Sequence, residues 1–165
     1  MKQYEAEQSP EILEKLIQLS AQWAAEQSCY GYYPNTEADI EGKRIFLAED
    51  EDGIEAYLLG KVETAKNMKS IMPEGTLYFE VEELYVVPEK RSQGIGEALF
   101  RFAEDIIKRT CNLLCSVLRV RTARRFYIFT WMNWECSFGV RGYLRRWENK
   151  QRFLLLVYSC KWNDI

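Results

Sequence analysis

The run from Thr76 to Lys108 constrains this chain more than any other segment. Thr76 to Val87 is rich in aromatic and β-branched residues and reads as one long strand. Pro88 ends it, because proline has no N–H to give to a ladder. A short loop with two glycines, Gly94 and Gly96, follows. Beyond it Ile95, Ala98, Leu99, Phe102, Ala103, Ile106 and Ile107 fall on one stripe, so an amphipathic helix is expected from Gly94 to about Arg109. A strand feeding through a tight loop into such a helix points to a mixed α/β architecture.

The loop is also a place to receive an anion. Amides in the first turn of a helix have no partner within it and sit at the positive end of its dipole. A phosphate or pyrophosphate satisfies them. Gly94 and Gly96 lack Cβ atoms and let a ligand approach the main chain, and Arg91 adds a fixed cation. The spacing is not the G-x-G-x-x-G of dinucleotide-binding folds, nor the phosphate-binding loop that ends in Gly-Lys-Ser/Thr.

The rest of the chain fits one domain over residues 1–165, with an atypical part at 111–165. Ser9-Pro10-Glu11 is a helix start, and Ile12, Leu13, Leu16, Ile17, Leu19 and Trp23 carry its apolar stripe to about Glu26. Arg44 to Ala48 and Ile54 to Glu63 form a hairpin around the acidic turn Glu49 to Gly53, read as a solvated tip. Leu113 to Leu118 and Gln151 to Cys160 read as strands, and Thr122 to Thr130 as a short helix.

Composition excludes several chemistries. The chain has no histidine, which removes Ser–His and Cys–His nucleophile pairs. Five cysteines show no C-x-x-C spacing, so no metal is expected. Proton transfers must then use carboxylates, tyrosine, lysine, cysteine or water. Nothing approaches the roughly 20 apolar residues of a membrane span, and no apolar leader opens the chain, so it reads as cytoplasmic with no membrane partner. The net charge of −3 hides an asymmetry: 22 acidic against 12 basic residues up to Thr110, then 3 against 10. The basic residues form no single run and the overall charge is negative, which argues against nucleic acid.

The stretch Val86-Val87-Pro88-Glu89-Lys90-Arg91-Ser92-Gln93-Gly94-Ile95-Gly96-Glu97-Ala98-Leu99 closely resembles motif A of the GCN5-related N-acetyltransferases, the GNAT superfamily. The resemblance spans Thr76 to Lys108. It implies a single-domain GNAT fold, a mixed central sheet flanked by helices, with acetyl-CoA as co-substrate. It places the CoA pyrophosphate on the amides of Ser92, Gln93, Gly94, Ile95, Gly96 and Glu97. The pantetheine arm would lie like an added strand along Leu84, Tyr85 and Val86. The Val86 amide would meet the developing oxyanion.

Glu82-Glu83-Leu84-Tyr85-Val86 looks like the E-x-[LIW]-[YF]-V strand of small-molecule acetyltransferases, which makes Glu82 the expected base and Glu80 the second choice. Strand alternation would put Glu80 and Glu82 on one face and Glu83 on the other. Ala123-Arg124-Arg125-Phe126-Tyr127 resembles the start of the family's motif B helix and makes Tyr127 the expected acid beside the CoA sulfur. The chain departs from that motif at Val120, where the family has Asn, and after Tyr127. Divergence or a reading-frame alteration after Lys108 would produce this, and sequencing the encoding DNA separates the two.

The expected acceptor is a small cationic amine, polyamine- or aminoglycoside-like, with Tyr30, Tyr32 and Tyr33 offering cation–π contact. The alternatives are a protein or peptide N-acetyltransferase and a catalytically impaired CoA-binding module. A homodimer is compatible with such a chain.

Overall fold

The computed structural model describes residues 1–28, 32–66, 74–111, 113–120, 141–146 and 152–159, the last three ranges as backbone only. The elements run β1 (Lys2–Ala6), α1 (Pro10–Ala25), α2 (Glu37–Ile40), β2 (Arg44–Asp50), β3 (Gly53–Thr64), β4 (Leu77–Val86), a 3-10 turn (Pro88–Lys90), α3 (Ile95–Ile107), β5 (Leu113–Val120), β6 (Arg141–Arg146) and β7 (Arg152–Ser159). β1, α2 and β6 were not legible in the sequence pattern. The short helix expected at Thr122 to Thr130 lies outside the described residues.

Among the described residues the strands form one sheet in the order β1-β2-β3-β4-β5-β7-β6. β4 and β5 run parallel, and the other neighbours are antiparallel. The sheet is mixed, as the sequence implied. Period-two patterning on β2 and β3 divides the core between its two faces. Phe46, Ala48, Ala56 and Leu58 meet Leu99, Ala103 and Ile107 of α3 on one face. Ile45, Leu47, Tyr57 and Leu59 meet Leu16 and its neighbours of α1 on the other. α1 begins as expected: the Ser9 side chain accepts from the Ile12 amide and Pro10 opens the helix.

Two register shifts shape the sheet. In β3, Ala48 faces Ala56 and Glu49 faces Ile54, so Glu55 is an extra residue there. In β4, Leu59 faces Glu83 and Gly60 faces Val81, so Glu82 is the extra residue. A bulge of this kind leaves one residue unpaired and bends the strand. Its signature appears in the core. Val81 and Leu84, an odd interval apart, both pack on the α3 face, while Tyr85 packs on the α1 face.

The expected acidic tip is half right. Glu51 and Asp52 are exposed. Asp50 instead takes the Lys90 ammonium at 2.6 Å, and the same ammonium reaches Glu55 at 2.9 Å. With the Val87 amide bonded to the Glu55 carbonyl, the hairpin braces the turn that follows β4.

Candidate active site

The first component is the loop from Arg91 to Gly94. Ser92 and Gly94 both take positive φ, 61° and 80°. A left-handed Gly94 at the N-cap turns the chain into α3 and contributes no capping side chain. An ideal Cβ at Gly94 would meet nothing within 4 Å, whereas one at Gly96 would lie 3.1 Å from Val86 Cγ2. Gly94 therefore answers to backbone conformation and an open approach, and Gly96 to close packing of α3 on β4. Among the described residues, no acceptor pairs with the amides of Ser92 through Glu97, and the first closed bond of the helix runs from the Ala98 amide to the Gly94 carbonyl. Six consecutive N–H groups at a helix start suit a pyrophosphate.

The second component is a gap in the sheet. β4 and β5 pair from Tyr78 with Leu113 to Val81 with Ser116, and no further. β5 continues from Val117 to Val120 against β7, while β4 continues to Val86 against β3. Among the described residues, the β4 edge toward β5 has no strand partner from Glu82 to Val86, so its backbone can pair with an extended ligand. The bulge at Glu82 sits where the two strands part.

Arg91 differs from its expected role as a fixed cation for phosphate. Its Nε donates to the Val86 carbonyl at 2.8 Å and its Nη2 to Glu26 at 2.8 Å. The guanidinium also lies over the Tyr85 ring, 5.4 Å from its centroid. Tyr85 donates to the same Glu26 oxygen, and burial followed by that bond pushes its hydroxyl up to about 12. Arg91 thus ties the end of β4 to the end of α1.

The third component is the acidic face of β4. The alternation expected to separate Glu83 from Glu80 and Glu82 fails, because the extra residue at Glu82 resets the side-chain phase. All three carboxylates come to the α1 side. Glu80 lies opposite Lys61. Glu82 pairs with Lys43 and, at 3.3 Å, with Lys61. Glu83 accepts from Tyr32 at 3.2 Å, from Tyr57 at 3.0 Å and from the Asn35 amide at 3.0 and 2.9 Å. The Glu80 carboxyl is pushed up, first by burial and then by the Glu82 charge, with Lys61 acting the other way.

Of the expected acceptor tyrosines, Tyr32 reaches this face and Tyr33 is 79% exposed. Tyr30 and the expected acid Tyr127 lie outside the described residues. Sequence reasoning missed Glu83, Tyr57, Asn35 and the lysine partners of Glu82. One signal was present: Gly60, alone inside a strand, marks the bulge opposite it.

A strand that parts from its neighbour and runs into an anion-receiving helix start defines a domain for an extended, phosphate-bearing co-substrate, with an acidic face beside it. Residues 41–128, just over half of the chain, match the model of the acetyltransferase (GNAT) domain, and the chain belongs to that family. It is an N-acetyltransferase that takes its acetyl group from acetyl-CoA.

Solved structures show the same fold. Arabidopsis thaliana NAA60 in complex with acetyl-CoA is 14% identical, with a TM-score of 0.67 over 96% of this chain and 100% of that one. A putative GNAT acetyltransferase from Desulfovibrio desulfuricans gives 14% identity and a TM-score of 0.62 over 96% and 98%. The ribosomal-protein-S18-alanine N-acetyltransferase of Escherichia coli gives 14% and 0.59 over 96% and 94%. A search of curated proteins finds no match. Among the described residues, no group of His, Cys, Asp and Glu is arranged to hold a metal, and no helix is long and apolar enough to cross a membrane.

Proposed function

We propose that the protein transfers acetyl from acetyl-CoA directly to the primary amine of a small cationic acceptor, polyamine- or aminoglycoside-like. The observation that carries this reading is the gathering of Glu80, Glu82 and Glu83 on one sheet face where β4 leaves β5. Three carboxylates outnumber the two ammonium groups beside them, Lys43 and Lys61, and the excess negative charge attracts cations to the place where the thioester would lie.

The family resemblance and the geometry of the described residues support the following roles. The amides of Ser92 to Glu97 receive the pyrophosphate, and the free edge from Leu84 to Val86 receives the pantetheine. The Val86 amide stabilises the thioester oxygen as it becomes an oxyanion. Arg91 acts as a brace on the strand end rather than as a phosphate ligand. A free alkylamine has a pKa of about 10.4, so a base must take a proton, directly or through water.

Glu82 was the first expectation for that base, but two ammonium groups offset its charge. Glu80, half-buried and pushed up by its surroundings, suits the role better. The amine nitrogen bonds to the carbonyl carbon, the C–S bond breaks, the amine proton passes to Glu80, and the CoA thiolate takes a proton from Tyr127.

A thiol-release assay over diamines, aminoglycosides and amino-terminal peptides tests the reading. Release with the cationic small molecules is expected, and release with peptides alone overturns the acceptor class. Acetyl-CoA at 100-fold over its dissociation constant should stabilise the fold by about 2.7 kcal/mol. Absence of a melting shift would remove the cofactor assignment.

A further inference from the structure

The three carboxylates on the acceptor face are not equivalent. Glu82 is bracketed by Lys43 and Lys61, so its charge is already answered within the protein. Glu80 is half-buried and pushed toward its neutral form. Among the described residues Glu83 is held by neutral donors only and makes no ion pair. Hydroxyl and amide donors fill acceptor positions on the carboxylate but bring no countercharge to it.

The distribution of those bonds is uneven. Among the described residues, Oε2 accepts from Tyr32, Tyr57 and Asn35, whereas Oε1 accepts from Asn35 alone. A carboxylate oxygen has two lone pairs, so Oε1 keeps one acceptor direction open. The cage is rigid. Tyr57 is fully buried, Asn35 is buried, and the Asn35 backbone N–H donates to Ser20 Oγ at 2.9 Å. Rings continue outward from it: Tyr57 to Tyr85 at 5.6 Å, Tyr85 to Trp23 at 5.4 Å and Trp23 to Tyr32 at 4.3 Å. An uncancelled carboxylate among aromatic rings is a receptor for an alkylammonium, through charge, hydrogen bond and cation–π attraction together.

We propose that Glu83 is the anion that binds the acceptor: Oε1 receives the ammonium group of the incoming amine, and Tyr32, Tyr57 and Asn35 hold the carboxylate in place for it. The assignment rests on the amine-acetylation reading above and makes Glu83 a specificity residue, distinct from the base at Glu80. It commits the acceptor to a positive charge at the point where it docks. A carboxylate that served only to satisfy the buried Tyr57 and Asn35 would give the same hydrogen bonds but no affinity for cations.

Titration of 1,4-diaminobutane into the full chain saturated with CoA separates the two, since no acetyl group is present and turnover is not needed. Glu83→Gln should weaken diamine binding at least 10-fold and leave the KM for acetyl-CoA within about two-fold. Unchanged diamine affinity in a folded Glu83→Gln overturns the proposal, as does wild-type protein that binds no diamine. If Glu83→Gln melts below the assay temperature, Glu83→Asp keeps the charge but withdraws it by one methylene, and affinity equal to wild type then counts against the assignment. Wild-type protein that acetylates other amines without binding the diamine refutes Glu83 and spares the proposed function; no thiol release with any amine refutes that function first.

Discussion

The proposed cofactor loop and acceptor face lie together in the eighteen residues from Glu80 to Glu97 and are built on different principles. As a proposed cofactor site Ser92 to Glu97 would work through main-chain N–H groups, so local sequence is enough to specify it: a glycine that tolerates positive φ, a helix start and no capping side chain. The face made by Glu80, Glu82 and Glu83 works through side chains, and what those side chains meet depends on a register shift against β3. A backbone site is robust to most substitutions and fails at its glycines. A side-chain site is tunable, and it fails when the strand slips by one residue.

The sharpest way to break the loop without touching the face is Gly94→Asp. A non-glycine residue at φ of 80° costs about 1–2 kcal/mol. The added carboxylate also stands where the pyrophosphate would lie. Acetyl-CoA binding should be abolished, with no melting shift up to millimolar ligand, while the Glu83 site keeps its affinity for 1,4-diaminobutane. Normal acetyl-CoA binding by this variant would show that the pyrophosphate lies elsewhere.

On the face, Glu80→Gln should lower turnover by about 10²-fold or more, the usual contribution of a general base, with acetyl-CoA affinity unchanged. Its effect on stability runs the opposite way. Burial and the Glu82 charge raise the carboxyl of Glu80. A raised group favours the fold while it is protonated and loses that contribution as pH rises through its folded value. Above that folded value the ionised Glu80 is a burden, and there Glu80→Gln should melt higher than wild type, with the difference shrinking as pH falls toward the usual carboxylate range. Loss of both turnover and neutral-pH stability would mean that Glu80 is structural. The same assay on Glu82→Gln decides between the two carboxylates, because a larger loss there would return the role of base to Glu82.

How much of this could be read from the chain follows the same division. The α1 start at Ser9 and Pro10, the β2–β3 hairpin, the end of β4 at Pro88 and the α3 stripe are local patterns, and each appears where its residues place it. β1 at Lys2–Ala6 alternates poorly and is a strand because β2 offers it an edge. Period-two reasoning placed Glu83 on the wrong face because alternation assumes an unbroken ladder, and the extra residue at Glu82 breaks it. The contacts of the Arg91 side chain were illegible for a related reason: its partner Glu26 lies 65 positions away, at the end of α1. Tyr57 and Asn35 gave no local sign of a site, since an apolar-strand tyrosine and a turn asparagine have ordinary structural uses.

Gly60 is where these lessons meet, and the smallest substitution in the set tests them. It sits on β3 opposite Val81, beside the bulge. A Cβ there would collide with the Glu80 carbonyl oxygen and lie 2.6 Å from two atoms of the Phe79 ring. Backbone on one side and a fully buried ring on the other leave little room to give, so Gly60→Ala should cost about 1–3 kcal/mol, in the range of an overpacked core. The strain falls on Glu80 and its neighbours and not on the loop. Melting should therefore drop by several degrees and turnover on amines should fall, while the acetyl-CoA dissociation constant of the folded variant stays near that of wild type. Equal losses in acetyl-CoA binding would show that the bulge also sets the loop, and the two regions would then be one site rather than two.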